Sequence, residues 1–184
     1  DLGHKASLVR IDLDAAVLAD VQNAQHRILG DAKEVLGALT NAVSPQESGW
    51  KATEVAQTRT VWRSETDAER PGVVTICDAL RSALPDDTMY FSDMTQFAYV
   101  GKEIWDLQNP GHWHHPSGFG TLGYALPAAI GGAMARRGHP TVCIAGDYGF
   151  QYTVQELGAA VEMKLPIPIL LWDNAKLKEI EDSM

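Results

Sequence analysis

An α/β fold with a parallel sheet flanked by helices is the class this sequence predicts, and three stretches predict it. The first is residues 141–174, which read as strand, loop, helix, loop and strand. Residues 141–145 form a short apolar run ending at Gly146-Asp147, and Ile169-Leu170-Leu171-Trp172 is a second buried run of strand length. Between them Thr153 and Glu156 have capping-box spacing, and Val154, Leu157, Val161 and Leu165 recur at helical spacing until Pro166 and Pro168 forbid further helix. A helix of about 11 residues rises roughly 16 Å, and a strand of about 6 returns roughly 20 Å, so the unit closes as a crossover between parallel strands. The second stretch is residues 118–133. Glycines at 118, 120 and 123 let the backbone approach a neighbour closely, and the Ala- and Gly-rich helix after them invites short-range packing. The third is the strand Met89-Tyr90-Phe91-Ser92, which follows a helical apolar pattern over residues 73–84 stopped by Pro85.

From the N-terminus, residues 8–13 alternate weakly and predict a strand, followed by a short helical turn over residues 14–21. Ile28-Leu29 is a brief apolar pair before Gly30. Asp31 and Glu34 then cap a helix whose apolar face is Ala32, Val35, Leu36, Leu39 and Val43. Residues 44–72 are polar and punctuated by Pro45, Gly49, Pro71 and Gly72. They read as a linker holding one amphipathic helix over 51–63, with Val55, Thr58 and Trp62 facing the body. A second domain starts near Pro71, its first helix carrying Val73, Ile76, Leu80 and Leu84 on one side. After the strand at 89–92 comes the loop Asp93-Met94-Thr95-Gln96. Pro127 falls in the first turn of the helix after the glycine loop, where its missing N–H costs little.

The bulk numbers bound the function. A formal charge of −9 over 184 residues opposes a nucleic-acid or anionic-membrane surface. No run approaches the roughly 18 apolar residues of a spanning helix. Cys77 and Cys143 lie in apolar runs and read as buried thiols suited to a reducing compartment, hence a cytoplasmic setting. A start without Met and an end inside a helical pattern suggest a piece of a longer protein.

Chemistry concentrates at the strand ends. In open parallel sheets ligands sit outside the carboxyl ends of the strands, where Asp147 and Asn174 fall. Their side-chain oxygens are hard ligands suited to Mg²⁺ or Ca²⁺, and the glycine-bearing loop after residue 145 offers amides to a phosphate. His112, His114 and His115 invite a zinc reading, but only His112 and His114 can share a face, and no neighbouring Cys or carboxylate completes a tetrahedral set. Instead, His114 or His115 is a candidate substrate-facing donor or acid. Two further readings stand beside a cofactor site. One is a Mg²⁺-dependent phosphate-ester enzyme with Asp147 as nucleophile, although Gly149 stands where it would want a second Asp. The other is a non-catalytic binding or assembly module.

Gly146-Asp147 followed at one crossover by Asn174 resembles the thiamine diphosphate motif Gly-Asp-Gly, spacer, Asn-Asn. The run Gly120-Thr121-Leu122-Gly123-Tyr124-Ala125-Leu126-Pro127-Ala128-Ala129-Ile130-Gly131 resembles the segment that props the cofactor into its bent form. Together they are similar to the acetolactate synthase-like branch, which holds 2-oxo acid decarboxylases and carboligases. Two letters depart from the pattern: Tyr148 for the third motif residue and Asp173 for the first Asn. The resemblance implies the thiamine diphosphate-binding fold over residues 71–184, truncated at its C-terminus. Residues 1–43 would close a central α/β domain and 44–70 would be a linker.

The implied activity is Mg²⁺-dependent decarboxylation of a 2-oxo acid through an enamine intermediate, or carboligation of the acetolactate synthase or glyoxylate carboligase type. Leu122 would hold the bend and the carbonyl of Gly120 would orient the aminopyrimidine, with His115 as a further catalytic candidate. Asp147, Asn174 and the carbonyl of Lys176 would hold the metal. Met94, Thr95, Gln96, Gly146, Tyr148 and Gly149 would meet the diphosphate, mainly through loop amides. FAD in the central domain is left open by a sequence holding only its closing strand and helix. The implied assembly is a homodimer or homotetramer whose site is shared with a pyrimidine-binding domain. That domain supplies the activating acid, so the chain by itself is expected not to turn over.

Overall fold

In the computed structural model, which describes residues 7–19, 24–47 and 49–174, the chain separates between Lys51 and Ala52 into two units. In the first, β1 (Val9–Asp12) and β2 (His26–Leu29) pair in parallel, Val9 opposite His26, so the apolar pair Ile28-Leu29 belongs to a full strand. α1 (Ala15–Leu18) lies between them and α2 (Ala32–Ala42) follows. Both helices start on an aspartate. Asp14 accepts from the amide of Ala16, and Asp31 accepts from those of Lys33 and Glu34 at 2.9 and 3.2 Å. Leu36, Leu39 and Val43 of the predicted apolar face are exposed.

The second unit runs α3 (Ala52–Glu69), α4 (Val73–Ala83), β3 (Met89–Ser92), α5 (Gln96–Ile104), β4 (Trp113–His114), α6 (Ala125–Ala135), β5 (Thr141–Gly146), α7 (Asp147–Thr153), a 3₁₀ turn (Val154–Glu156), α8 (Leu157–Glu162) and β6 (Ile169–Trp172). The four strands are all parallel, in the order β4-β3-β5-β6. The period-2 alternation of strand side chains divides the core between the two faces. Tyr90, Val142 and Ile144 pack with Val73, Val74 and Cys77 of α4 and Phe97 and Val100 of α5. Phe91, Cys143 and Ala145 meet Ala125, Leu126, Ala129 and Ile130 of α6. Burial of a side chain such as Ile144 or Leu126 contributes about 2 kcal/mol. The small residues of α6 have a direct reason: a Cβ on Gly132 would overlap the Phe91 ring, so a larger residue would lift the helix off the sheet.

Three elements differ from expectation. α3 extends to Glu69, and Val55, Thr58 and Trp62 point outward; contact is made further along, by Thr66 and by Arg63, which donates to Asp78 at 2.6 Å. α4 buries Val73, Val74 and Cys77, while Ile76 is exposed. The third is the helix of the crossover. It begins at Asp147, not after Thr153, because the Thr153 methyl is turned against Gly123 and its hydroxyl makes no capping bond. The two cysteines are buried, unpaired and on opposite faces of the sheet, and burial pushes each thiol up to about 12. Among the described residues no helix is long and apolar enough to cross a membrane.

Candidate functional site

The strand order places a topological switch between β3 and β5. From β3 the chain goes outward to β4, and from β5 it goes the other way to β6. The connections therefore diverge at the carboxyl ends of β3 and β5 and leave a crevice, the usual ligand position of an open α/β sheet. Three segments meet there: 93–96 between β3 and α5, 115–124 after β4 and the β5–α7 junction at 146–149.

Asp93 joins them. It is 1% exposed, and its carboxylate accepts from the backbone amides of Ala125 at 2.8 Å and Gly123 at 3.2 Å. Burial pushes its carboxyl upward while the amides of Ala125, Gly123 and Tyr124 pull it back. A Cβ on Gly149 would run into the same carboxylate, so the first turn of α7 closes against it as well. Sequence reasoning did not single out Asp93 as a site residue. An ionisable side chain directly after the strand Met89-Tyr90-Phe91-Ser92 was the available signal.

The flanking glycines are required by geometry. Gly120 has φ +62°, and a Cβ there would come within 3.3 Å of the Met94 methyl. Gly123 has φ +83° and lies against Tyr152 and Thr153. At Gly146 a Cβ would come within 3.2 Å of the Thr95 methyl, so loops 93–96 and 146–149 touch. The Thr95 hydroxyl accepts from the amide of Ala98 and caps α5, leaving Gln96 as its first helical residue.

Asp147, Tyr148 and Gly149 lie in the first turn of α7, with Gly146 as an N-cap whose lack of a side chain leaves no capping bond. Their amides belong to a helix terminus, whereas loop amides were expected. Tyr148 is 45% exposed and not in the left-handed region, because Lys164 is the one non-glycine with positive φ among the described residues. The tyrosine thus turns outward at a position with no conformational need for glycine; the glycine that sterics demand is Gly149. Gly146 pairs with Trp172, so Asp147 and the Asp173-Asn174 pair leave neighbouring strands at the same level. Asp147 is half-buried and, among the described residues, makes no hydrogen bond or ion pair. A half-buried carboxylate with no ion-pair partner among the described residues, at the strand end neighbouring the one that carries Asn174, suits a hard cation such as Mg²⁺. Lys176 lies outside the described residues.

Leu122 is exposed on the 118–123 loop, as is Phe119. The histidines disperse. His112 faces the carbonyl of Thr88 at the amino end of the strands, and His114 stacks on Phe91 with ring centroids 4.6 Å apart. His115 sits 2.8 Å from the Ser92 hydroxyl through Nδ1, edge-on to Tyr99, and burial with nearby Lys102 holds its pKa below the ordinary value. The ring is therefore neutral at pH 7, with Nε2 buried and unpartnered among the described residues.

The chain is similar to known proteins in sequence and in fold. Residues 93–183 match the family described as thiamine pyrophosphate enzyme, C-terminal TPP binding domain. The chain is 38% identical over 181 residues to the probable 2-ketoarginine decarboxylase AruI of Pseudomonas aeruginosa, covering 96% of this chain and 32% of that protein. It is 28% identical over 182 residues to the acetolactate synthase isozyme 3 large subunit of Escherichia coli, covering 94% and 32%. In fold it is similar to a thiamine diphosphate-dependent 4-hydroxybenzoylformate decarboxylase of Rhodococcus jostii, with TM-score 0.71 at 20% identity over 97% of this chain and 33% of that one. The chain spans about a third of the length of these relatives. It belongs to the thiamine pyrophosphate enzymes and carries their C-terminal cofactor-binding domain.

Proposed function

We propose that this chain supplies the diphosphate- and metal-binding half of a Mg²⁺-dependent enzyme that decarboxylates a 2-oxo acid. The observation that carries the reading is the meeting of segments 93–96, 115–124 and 146–149 on the buried Asp93, with Asp147, unpaired among the described residues, two residues before Gly149. Residues 71–184 would form the cofactor domain, 44–70 a linker and 1–43 the end of a central domain. The protein would be a homodimer or homotetramer, its site completed by a pyrimidine-binding domain. Its two buried free thiols favour a cytoplasmic setting.

Thiamine diphosphate, when bound, supplies the electron sink that lets a 2-oxo acid lose CO₂. The protein supplies position and charge. Asp147 and Asn174, with the carbonyl of Lys176, would hold Mg²⁺ against the diphosphate. The amides of Met94, Thr95, Gly146, Tyr148 and Gly149 and the Gln96 side chain would bind phosphate oxygens, the first-turn amides of α7 adding the positive end of its dipole. The Gly120 carbonyl, fixed by its left-handed backbone, would accept from the cofactor's amino group, and Leu122 would support the ring pair. His115, expected as a substrate-facing donor or acid, is neutral and oriented by Ser92 and would act as a hydrogen-bonding or proton-accepting group close to the β3 end.

Decarboxylation is preferred to carboligation because identity is 38% to the probable 2-ketoarginine decarboxylase and 28% to the acetolactate synthase. The same likeness favours a substrate derived from an amino acid. Incubating the full-length protein with thiamine diphosphate, Mg²⁺ and either 2-ketoarginine or pyruvate tests this. CO₂ and an aldehyde from 2-ketoarginine are expected. Acetolactate from pyruvate, with no turnover of 2-ketoarginine, would give the carboligase reading instead.

A further inference from the structure

At the opposite end of the sheet from the candidate site lies a pocket of about 480 Å³. Pro140 and Pro166, which precede β5 and β6, are part of its wall, so the length of β5, roughly 20 Å, separates it from Asp147. Its floor is apolar: Ala133, a buried residue of α6, with Met163 and Leu165, which pack against the core under that helix. Its exposed rim carries Arg137, His139 and Lys164, and no lining residue is acidic. In a chain of net charge −9 that is an unusual concentration of positive charge.

Among the described residues, two of the three rim side chains are not engaged elsewhere, while the third, His139, is held by Asp87. Among the described residues neither Arg137 nor Lys164 has an ion-pair partner, whereas the nearby Asp87 is engaged by Arg136 at 2.8 Å and His139 at 2.6 Å. Lys164 is also the one described non-glycine with positive φ, at 53°, in the turn that ends α8, where the amide of Leu165 reaches the carbonyl of Ala160. Glycine is the residue that turn favours, so a lysine there forgoes backbone comfort and puts a charge on the rim. The carboxyl ends of α6 and α8 attract a cation each, but they do not account for the apolar pocket between them.

We infer that this pocket binds a small organic anion, a carboxylate on an apolar body, at a site separate from the cofactor crevice. The carboxylate would bridge Arg137 and Lys164, and the hydrocarbon would cover Met163 and Leu165. The volume is in the range of small-ligand pockets.

Hexanoate is a suitable probe, titrated into the purified protein labelled at its methionine methyls. Met163 lies on the pocket floor and Met94 lies beside Gly120 in the cofactor crevice, so the two resonances distinguish the sites. The expected result is a saturable shift of Met163 in the millimolar range, with Met94 unmoved. Arg137→Gln/Lys164→Gly should weaken hexanoate about tenfold or more, the loss of two charge-assisted contacts, while the relieved turn raises the unfolding midpoint by a few degrees. Hexylamine should not move Met163. Three results would each overturn the proposal: a shift at Met94 but not Met163, equal binding by the double variant, or inorganic phosphate shifting Met163 as strongly as hexanoate.

Discussion

Removing the Asp93 carboxylate would leave the amides of Gly123 and Ala125 buried without an acceptor. Asp93→Ala is therefore expected to lower stability by about 3 kcal/mol, and Asp93→Asn, which keeps one acceptor, by about 1 kcal/mol. Urea unfolding of both variants measures it. Tyr148 makes the opposite case. The motif's usual glycine is missing there, yet the residue is helical and outward-facing, while Gly149 is the position that cannot carry a Cβ. Tyr148→Gly should cost only about 0.5 kcal/mol in helix propensity and leave cofactor affinity within a few-fold. Gly149→Ala should push the first turn of α7 off Asp93 and abolish cofactor binding, as calorimetry on both variants would record.

Among the elements, helix starts divide by whether the side chain reaches back to the chain. Asp31 caps α2 through two amides, so Asp31→Ala should cost about 1 kcal/mol; Thr153→Ala, at a threonine that makes no capping bond, should cost less than half of that. Thermal unfolding of the pair compares them. At the other end of the sheet Asp87 ties the start of β3 to the end of α6. The hydrogen bond from His139, helped by Arg136 against some burial, holds its carboxyl below 3.8. A folded value below the unfolded one gives stabilisation that is present above about pH 3.8 and lost as pH falls through the folded value. Asp87→Asn should flatten that acid limb of the stability curve by lowering stability near pH 7, with little change at the acid end where the carboxylate is already protonated.

Strands and helices with a single strong signal were legible: Met89–Ser92, Thr141–Gly146, Ile169–Trp172 and the Asp31-capped α2. The start of α7 was not, because the Thr153/Glu156 pattern is genuine locally but a long-range contact with Gly123 takes the threonine away. The role of Asp93 was hidden for the same reason, since its partners lie about thirty residues on and nothing local announces them. The two glycine-bearing loops were visible as motifs; that both close on one carboxylate needed the fold.

In the second unit, the parallel order β4-β3-β5-β6 determines where chemistry can occur, because only the β3/β5 switch opens a crevice at the carboxyl ends. On the proposed function, this crevice binds thiamine diphosphate through a metal held by Asp147. Calorimetric titration of the full-length protein with thiamine diphosphate, with and without Mg²⁺ and with Asp147→Ala beside the parent, tests it most directly. Binding should require Mg²⁺ in the parent and weaken about a hundredfold or more in the variant, the cost of removing a charged metal ligand. Binding that is indifferent to Mg²⁺, or unchanged in Asp147→Ala, would contradict it.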